Sequence, residues 1–200
     1  MGPGVSPLIQ LAESGMVPDV LVRLGIRAFV RQRLHDERKA AEGYQDLLDE
    51  LSRSDIAVHA DKANEQHYEV PADFFALVLG RYMKYSSGYW APATRGLDEA
   101  ECAMLELYRE RADIGEHQRV LDLGCGWGSF TLWAAEQFPS SSFTAVSNSL
   151  SQRQFIESRS EELGLKNVQV VTADINVVEL DGVFDRIVSI EMFEHVRNYE

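Results

Sequence analysis

The sequence predicts an α/β domain built on a parallel β-sheet and preceded by a helical N-terminal segment. After Gln118, apolar runs typical of buried strands alternate with stretches of helical character, and a glycine-rich turn follows the first run. Continuous apolar strands separated by helices indicate a parallel sheet covered on both faces. We expect a helical segment at residues 1–60, a helical and aromatic region at 61–115, and the sheet domain at 116–200.

The N-terminal half is predicted to be helical, with one loop. Up to about residue 54, leucine, valine and alanine recur at roughly helical spacing among arginines. Residues 64–90 are rich in aromatic side chains, and the polar run from Tyr85 to Tyr89 predicts a loop that contacts a ligand or a neighbouring segment. A helix is expected from Glu99 to Arg111.

Four strands are predicted in the sheet domain. They cover residues 120–123, 143–146, 168–171 and 184–190, and helices follow the first two strands. A doubly wound sheet with the order 3-2-1-4 would leave strand 4 as an exposed parallel edge, and such edges are normally covered or paired. We therefore expect a Rossmann-like sheet that is truncated after strand 4.

Charge and cysteine content limit the classes of function. The net charge is −13, so nucleic acid is excluded as a general partner. Residues 1–40 have six basic and four acidic residues, and these basic helices are the only part expected to contact an anionic membrane. Two cysteines without metal-ligand spacing predict a reduced, cytoplasmic protein without a zinc site.

The glycine-rich turn is the strongest functional signal. Gly124, Gly126 and Gly128 follow the acidic Asp122 at the end of the first strand. Glycines let the backbone turn sharply and approach a ligand closely, and the next helix presents unpaired N–H groups there. A dinucleotide fingerprint would need glycine where Ser129 stands and an acid at the end of the second strand, so NAD is disfavoured.

An acid two positions before a G-x-G-x-G loop resembles the pattern of class I methyltransferases, which bind S-adenosylmethionine (SAM). In that interpretation Asp122 anchors the loop or faces the cationic methionine end of SAM. Asp174, after the third strand, can accept a hydrogen bond from the adenine amino group, and its alternative role is that of a helix cap or a turn acid. Gln152 is a solvated helix residue unless a more specific resemblance holds.

Five ordered motifs make that resemblance more specific. They are residues 67–75, 84–87, 121–128, 147–152 and 191–196. Together they resemble the cyclopropane-fatty-acyl-phospholipid synthase family, including its members similar to coclaurine N-methyltransferase. The resemblance implies a helical N-terminal lid over SAM, contacts of Tyr85 and Ser86 with SAM, Gln152 near the ribose, and Glu194 at the reacting centre. The cyclopropane synthases carry a cysteine where Ser87 stands, which favours methyl transfer over cyclopropanation.

The last motif supplies the candidate catalytic groups. If the segment after strand 4 is a helix, Glu191, Glu194 and His195 lie on one face of it, at the carboxyl end of the sheet. Methyl transfer needs alignment of the reactants and removal of one proton, which Glu194 or His195 would accept. An alternative role for Glu191 is to stabilise a helix N-terminus.

Three functions remain open from the sequence. The first is a SAM-dependent methyltransferase acting on a small-molecule amine or a lipid acyl chain. The second is a cyclopropane synthase acting on unsaturated phospholipids at a membrane. The third is a non-catalytic SAM-binding fragment, because the substrate-binding parts of this fold usually come from later strands.

Overall fold

The computed structural model describes residues 11, 15, 17–40, 44–58 and 72–199. The chain divides into two compact units, Met1–Leu51 and Ser52–Glu200. Residues 59–71 lie outside the described residues, and with them most of the 67–75 motif and the start of the predicted 61–115 region. The predicted domain boundaries at 60 and 115 therefore remain predictions.

The N-terminal unit is helical, as the spacing of its apolar residues predicts. Helix α1 covers Asp19–Ala40 and helix α2 covers Tyr44–Ser52. An ion pair between Arg33 and Glu37, one turn apart on α1, has an N–O distance of 2.7 Å. No helix in the described part of the chain is long and apolar enough to cross a membrane.

The second unit contains a parallel sheet packed against helices, which confirms the predicted Rossmann-like fold. Two helices, α3 (Ala72–Val78) and α4 (Leu97–Ala112), precede the sheet. The remaining elements are β1 (Arg119–Leu123), α5 (Ser129–Gln137), β2 (Ser142–Ser147), α6 (Leu150–Glu162), β3 (Val168–Thr172), β4 (Arg186–Val188) and a short 3-10 helix, Phe193–His195. The strand order is β3-β2-β1-β4 and all neighbours are parallel, as predicted.

Helices α4, α5 and α6 cover one face of the sheet through two adjoining apolar clusters. The first contains Leu105 of α4, Trp133 of α5 and Phe143 of β2, each at most 3% exposed. The second contains Ile156 of α6 and Ala145, which is two residues beyond Phe143 in β2 and so points to the same face.

The opposite face of the sheet is partly open in the described part of the chain. Gln169 of β3 and Ile187 of β4 point to that face and are exposed. The prediction of a sheet covered on both faces is therefore not met by the described residues, because the helices that pack on the sheet lie on the same side.

Strand β4 is shorter than predicted. The sequence suggested residues 184–190, whereas only Arg186–Val188 pair with β1. After Val188, the Ser189 hydroxyl donates to the carbonyl of Leu123 at 2.8 Å, so a side chain takes over the bonding at this end of the strand. Strand β4 lies at the edge of the described sheet, and its Ile187 is 63% exposed.

Candidate cofactor-binding and active site

The glycine loop connects β1 to α5 and is tied to β2. The backbone N–H groups of Gly124 and Cys125 both donate to the carbonyl of Val146, at 2.9 and 3.0 Å. The N–H of Gly128 donates to the carbonyl of Cys125 at 2.9 Å. Gly124, Gly126 and Gly128 all have positive φ angles, of 80°, 54° and 76°, which glycine adopts without the steric cost that other residues incur.

The three glycines differ in what surrounds them. A β-carbon on Gly124 would lie 2.6 Å from Cγ of Met192, and one on Gly128 would lie 2.7 Å from Cγ1 of Ile156. A β-carbon on Gly126 would meet no atom within 4 Å among the described residues. Gly124 and Gly128 are therefore required by packing inside the protein, whereas Gly126 presents its backbone to open space that a ligand can enter.

Asp122 anchors the loop to the helix that follows it. Its side chain is 2% exposed, and its carboxylate accepts a hydrogen bond of 2.7 Å from the hydroxyl of Thr131 in α5. Burial raises the pKa of Asp122 to about 6, and the hydrogen bonds from Thr131 oppose that rise. Of the two predicted roles, anchoring is the one with an observed contact; contact with SAM stays a prediction.

Gln152 is buried. Without the family resemblance, the sequence favoured a solvent-exposed position on the helix, and the structure does not show that position. It lies in the first turn of α6 and is 2% exposed. Its Oε1 accepts a hydrogen bond of 2.5 Å from the hydroxyl of Ser147, at the end of β2. Its Nε2 is buried and bonds to no group among the residues described, so it can donate to a ligand. The hydroxyl of Ser149 caps this helix by accepting from the N–H of Gln152.

Asp174 takes part in a turn at the end of β3. Its Oδ1 accepts hydrogen bonds from the backbone N–H and the side-chain amide of Asn176, at 2.8 and 2.9 Å. Asn176 also exchanges two hydrogen bonds of 3.0 Å with the backbone of Ala57. The turn-acid role is thus observed, and the contact with adenine stays a prediction.

Residues 72–86 pack against the glycine loop through aromatic rings. The ring of Phe75 lies 5.5 Å from that of Trp127 in the loop and 5.1 Å from that of Tyr85. Met83 joins Phe75 and Trp127 in one buried cluster. The predicted loop at residues 85–89 is confirmed, and its half-exposed Tyr85 and half-buried Ser86 lie in the segment that adjoins the glycine loop.

The segment from Glu191 to His195 is not the α-helix that the sequence suggested. Glu191 has a positive φ of 53°, and a single 3-10 turn follows, in which the N–H of His195 donates to the carbonyl of Met192. The chain then becomes extended, because Val196 forms an antiparallel bridge with Ala57. The prediction that Glu191, Glu194 and His195 lie on one face of an α-helix is therefore wrong.

These three candidate side chains are exposed next to the glycine loop. Glu191, Glu194 and His195 are all solvent-accessible, and Met192 between them contacts the Gly124 position. The candidate acid and base groups thus lie at the carboxyl end of the sheet, as predicted. Their catalytic roles stay predictions.

Sequence reasoning missed two buried charged residues, Lys84 and Glu101. Glu101 is 1% exposed and accepts hydrogen bonds from the backbone N–H groups of Gly80 and Tyr82, at 2.8 and 3.0 Å. Burial raises the pKa of this carboxyl, and the backbone hydrogen bonds oppose the rise. The available signal was its position on the helix face that also carries the buried Leu105, four residues on.

The residues of this site fit SAM. The open space at Gly126 suits close approach of a ligand to backbone N–H groups, and the unpaired Nε2 of Gln152 supplies a buried donor in the helix that follows the neighbouring strand β2. A Rossmann-like sheet with this loop and these flanking groups defines the class of SAM-dependent methyltransferases.

Comparison with known proteins identifies the family within that class. Residues 57–200 match the family model described as "Mycolic acid cyclopropane synthetase", and the chain belongs to this family. It is 41% identical over 198 residues to (S)-coclaurine N-methyltransferase of Thalictrum flavum subsp. glaucum, covering 96% of this chain and 55% of the relative. It is 36% identical over 138 residues to cyclopropane-fatty-acyl-phospholipid synthase of Escherichia coli (strain K12), covering 68% of this chain and 34% of that enzyme.

A solved structure has the same fold. The crystal structure of coclaurine N-methyltransferase bound to N-methylheliamine and S-adenosylhomocysteine (SAH) superposes with a TM-score of 0.82 at 38% identity. The match covers 98% of this chain and 58% of that chain. The chain therefore spans just over half the length of these two coclaurine N-methyltransferases.

Proposed function

We propose that this chain is the SAM-binding part of a methyltransferase that transfers the methyl group to the nitrogen of a small-molecule amine. The observation that carries the proposal is the proximity of the exposed Glu194 and His195 to the open glycine loop. Because Met192 contacts the Gly124 position, an acceptor beside these groups would lie close to a cofactor bound at Gly126.

Methyl transfer to an amine needs a base that removes a proton and a geometry that aligns the nitrogen with the methyl group. SAM, when bound, supplies a methyl group on a positively charged sulfur. Glu194 or His195 accepts a proton from the protonated acceptor amine, which frees the nitrogen lone pair. With SAM bound, the segment that carries Glu194 and His195 would hold the freed nitrogen in line with the methyl carbon and sulfur; transfer would leave the electron pair of the carbon–sulfur bond on sulfur and give the methylated amine and SAH.

An amine is favoured over a lipid as the acceptor for two reasons. The similarity to (S)-coclaurine N-methyltransferase extends over 96% of this chain, whereas the similarity to the E. coli synthase covers 68%. Ser87 also stands where the resemblance to the cyclopropane synthases leads us to expect a cysteine. Cyclopropanation of unsaturated phospholipids is the second candidate, favoured by the family match and by the basic helices of residues 1–40.

We infer a cytoplasmic location from the cysteines, since neither Cys102 nor Cys125 forms a disulfide. Peripheral contact with a membrane through the basic N-terminal helices belongs to the lipid alternative. The chain would sediment with vesicles of anionic phospholipid only if that alternative holds.

The cofactor proposal is tested by calorimetric titration of SAH into the chain. We expect saturable binding, which the variant Gly126→Ala lowers at least about tenfold because its methyl group enters the open space of the loop. Gly164→Ala is a matched control, since Gly164 also has a positive φ, of 69°, and also has open space around it. Equal SAH affinity in Gly126→Ala and Gly164→Ala would refute the assigned position of the cofactor.

The acceptor proposal is tested with SAM labelled in its methyl group. Coclaurine and vesicles of unsaturated phospholipid are offered separately to the chain. Label in the amine supports N-methylation, and label in the lipid supports the second candidate. Binding of SAH without transfer to either acceptor would favour the third function, a SAM-binding module without catalysis.

A further inference from the structure

Lys84 is a buried ammonium group in the segment that packs against the glycine loop. Its side chain is 5% exposed, which makes it the only buried lysine or arginine among the residues that the structure describes. Its Nζ donates to the hydroxyl of Ser86 and lies 3.3 Å from the hydroxyl of Tyr108 and 4.7 Å from the centre of that ring. No carboxylate of the described ranges pairs with it.

A buried cation of this kind needs compensation. Removing an ammonium group from water without an opposite charge is strongly unfavourable, and two hydroxyls and an aromatic face compensate only in part. A negatively charged ligand at the site would complete the compensation.

The bond from Lys84 also fixes the direction of the Ser86 hydroxyl. An ammonium group can only donate, so the oxygen of Ser86 is the acceptor in this contact. The hydroxyl hydrogen of Ser86 therefore remains available to donate to another acceptor. Ser86 is half-buried, so that acceptor can be a ligand.

The segment that carries Lys84 is held firmly in place. The carboxylate of Glu101 accepts hydrogen bonds from the backbone N–H groups of Gly80 and Tyr82, just before Lys84 in the chain. Next to Lys84, Met83 is buried against Trp127 of the glycine loop. The ammonium group is thus positioned before any ligand arrives, which is the condition for strong electrostatic recognition.

We propose that Lys84 is a positioning residue for the carboxylate at the methionine end of SAM, acting through the hydroxyl of Ser86. The carboxylate is the anionic group of SAM, and Ser86 donates to it while Lys84 supplies the compensating positive charge. The inference rests on the proposed function, because it requires SAM to bind at the glycine loop.

A pair of ligands that differ in this one group tests the role of Lys84. SAH is compared with S-adenosyl-3-thiopropylamine, which is SAH without its carboxylate, and each is titrated calorimetrically into the wild-type chain and into Lys84→Met. We expect the wild type to prefer SAH by about tenfold or more, as for a charge-assisted hydrogen bond. In Lys84→Met the SAH affinity should fall to that of the amine, whose own affinity should stay unchanged.

Two further variants complete the experiment. Lys166→Met removes an exposed lysine and should leave both affinities as in the wild type. Ser86→Ala keeps the buried lysine and should lower the affinity for SAH but not that for the amine, so it tests the proposal even if Lys84→Met does not fold. Circular dichroism establishes the folding of each variant.

The outcomes separate this inference from the proposed function. Absence of SAH binding to the folded wild-type chain would overturn both. Binding of SAH by the wild type, combined with an equal loss of affinity for the two ligands in Lys84→Met and Ser86→Ala, would overturn only the role of Lys84. A merely structural lysine would produce that second result.

Discussion

The glycine loop and the segment from Glu191 to His195 are neighbours, yet they are built in opposite ways. The loop is fixed by buried interactions, since Asp122 bonds to Thr131 and the loop backbone bonds to Val146. The candidate acid and base groups of the other segment are exposed, on a 3-10 turn that follows a residue with positive φ.

The contrast indicates which half of the site exists before ligands bind. Buried hydrogen bonds keep the loop in one conformation, so the cofactor side of the site is preorganised. Exposed side chains of the 191–195 segment can be exchanged with little effect on folding. Substitutions in the loop should therefore change stability, whereas substitutions in the segment should change methyl transfer alone.

The largest effect on stability is expected from Gly128→Ala. The new methyl group would lie 2.7 Å from Cγ1 of Ile156, and the φ of 76° is strained for alanine. Strain and overpacking together should lower the free energy of unfolding by about 2–5 kcal/mol. Urea unfolding followed by tryptophan fluorescence measures this, because all three tryptophans lie in the Ser52–Glu200 unit.

The double variant Gly128→Ala/Ile156→Val and the single variant Gly164→Ala separate the two causes. Shortening Ile156 should recover part of the lost stability, because it removes the closest contact. Gly164→Ala has a similar φ but open space, so it should show the strain alone. If Gly128→Ala and Gly164→Ala lose equal stability, packing at Gly128 does not matter.

The next effect depends on pH and concerns Asp122. Burial raises the pKa of its carboxyl to about 6 from the usual 3.8, so the folded state binds this proton more tightly than the unfolded state. Stability from this group is therefore greatest below about pH 4 and falls as the pH rises to 6, by about 3 kcal/mol in all. Asp122→Asn keeps the acceptor for Thr131 and does not titrate.

The measurement is urea unfolding of wild type and Asp122→Asn at several values between pH 4 and 7. The stability of the variant relative to that of the wild type should rise across this range, since other titrating groups cancel in the comparison. Parallel stability curves for the wild type and the variant would mean that burial does not raise the pKa of Asp122.

A smaller effect is expected at Asn176, which connects β3 to the start of the second unit. Its side chain bonds to both backbone groups of Ala57 and to Asp174. Asn176→Ala should lower the free energy of unfolding by about 1–3 kcal/mol, because it leaves partly buried backbone groups unpaired. Asn148→Ala, at an exposed position after β2, is the control and should be nearly neutral. A neutral Asn176→Ala would show that this connection is not formed in solution.

The sequence predicted the parts of the site that depend on periodicity and on glycine. Strand order and the loop at Gly124–Gly128 follow from apolar runs and from residues that turn freely. The burial of Lys84 and Glu101 was missed, because it depends on a loop folding back onto α4, and such long-range contacts leave no periodic pattern. The helix considered after strand 4 was wrong, because the chain forms a 3-10 turn and then an antiparallel bridge between Val196 and Ala57, a long-range contact that local spacing does not reveal.

The smallest effect on stability, and the largest on chemistry, is expected from Glu194→Gln. Glu194 is exposed, so its replacement should change the free energy of unfolding by no more than about 0.5 kcal/mol and leave SAH affinity unchanged. If Glu194 removes the proton from the acceptor amine, the rate of methyl transfer should fall about 10²- to 10⁴-fold. Glu161→Gln, an equally exposed acid on α6, should leave the rate unchanged. If Glu194→Gln retains the wild-type rate while His195→Ala does not, the base is His195, and if both retain it, the catalytic side of the site lies elsewhere.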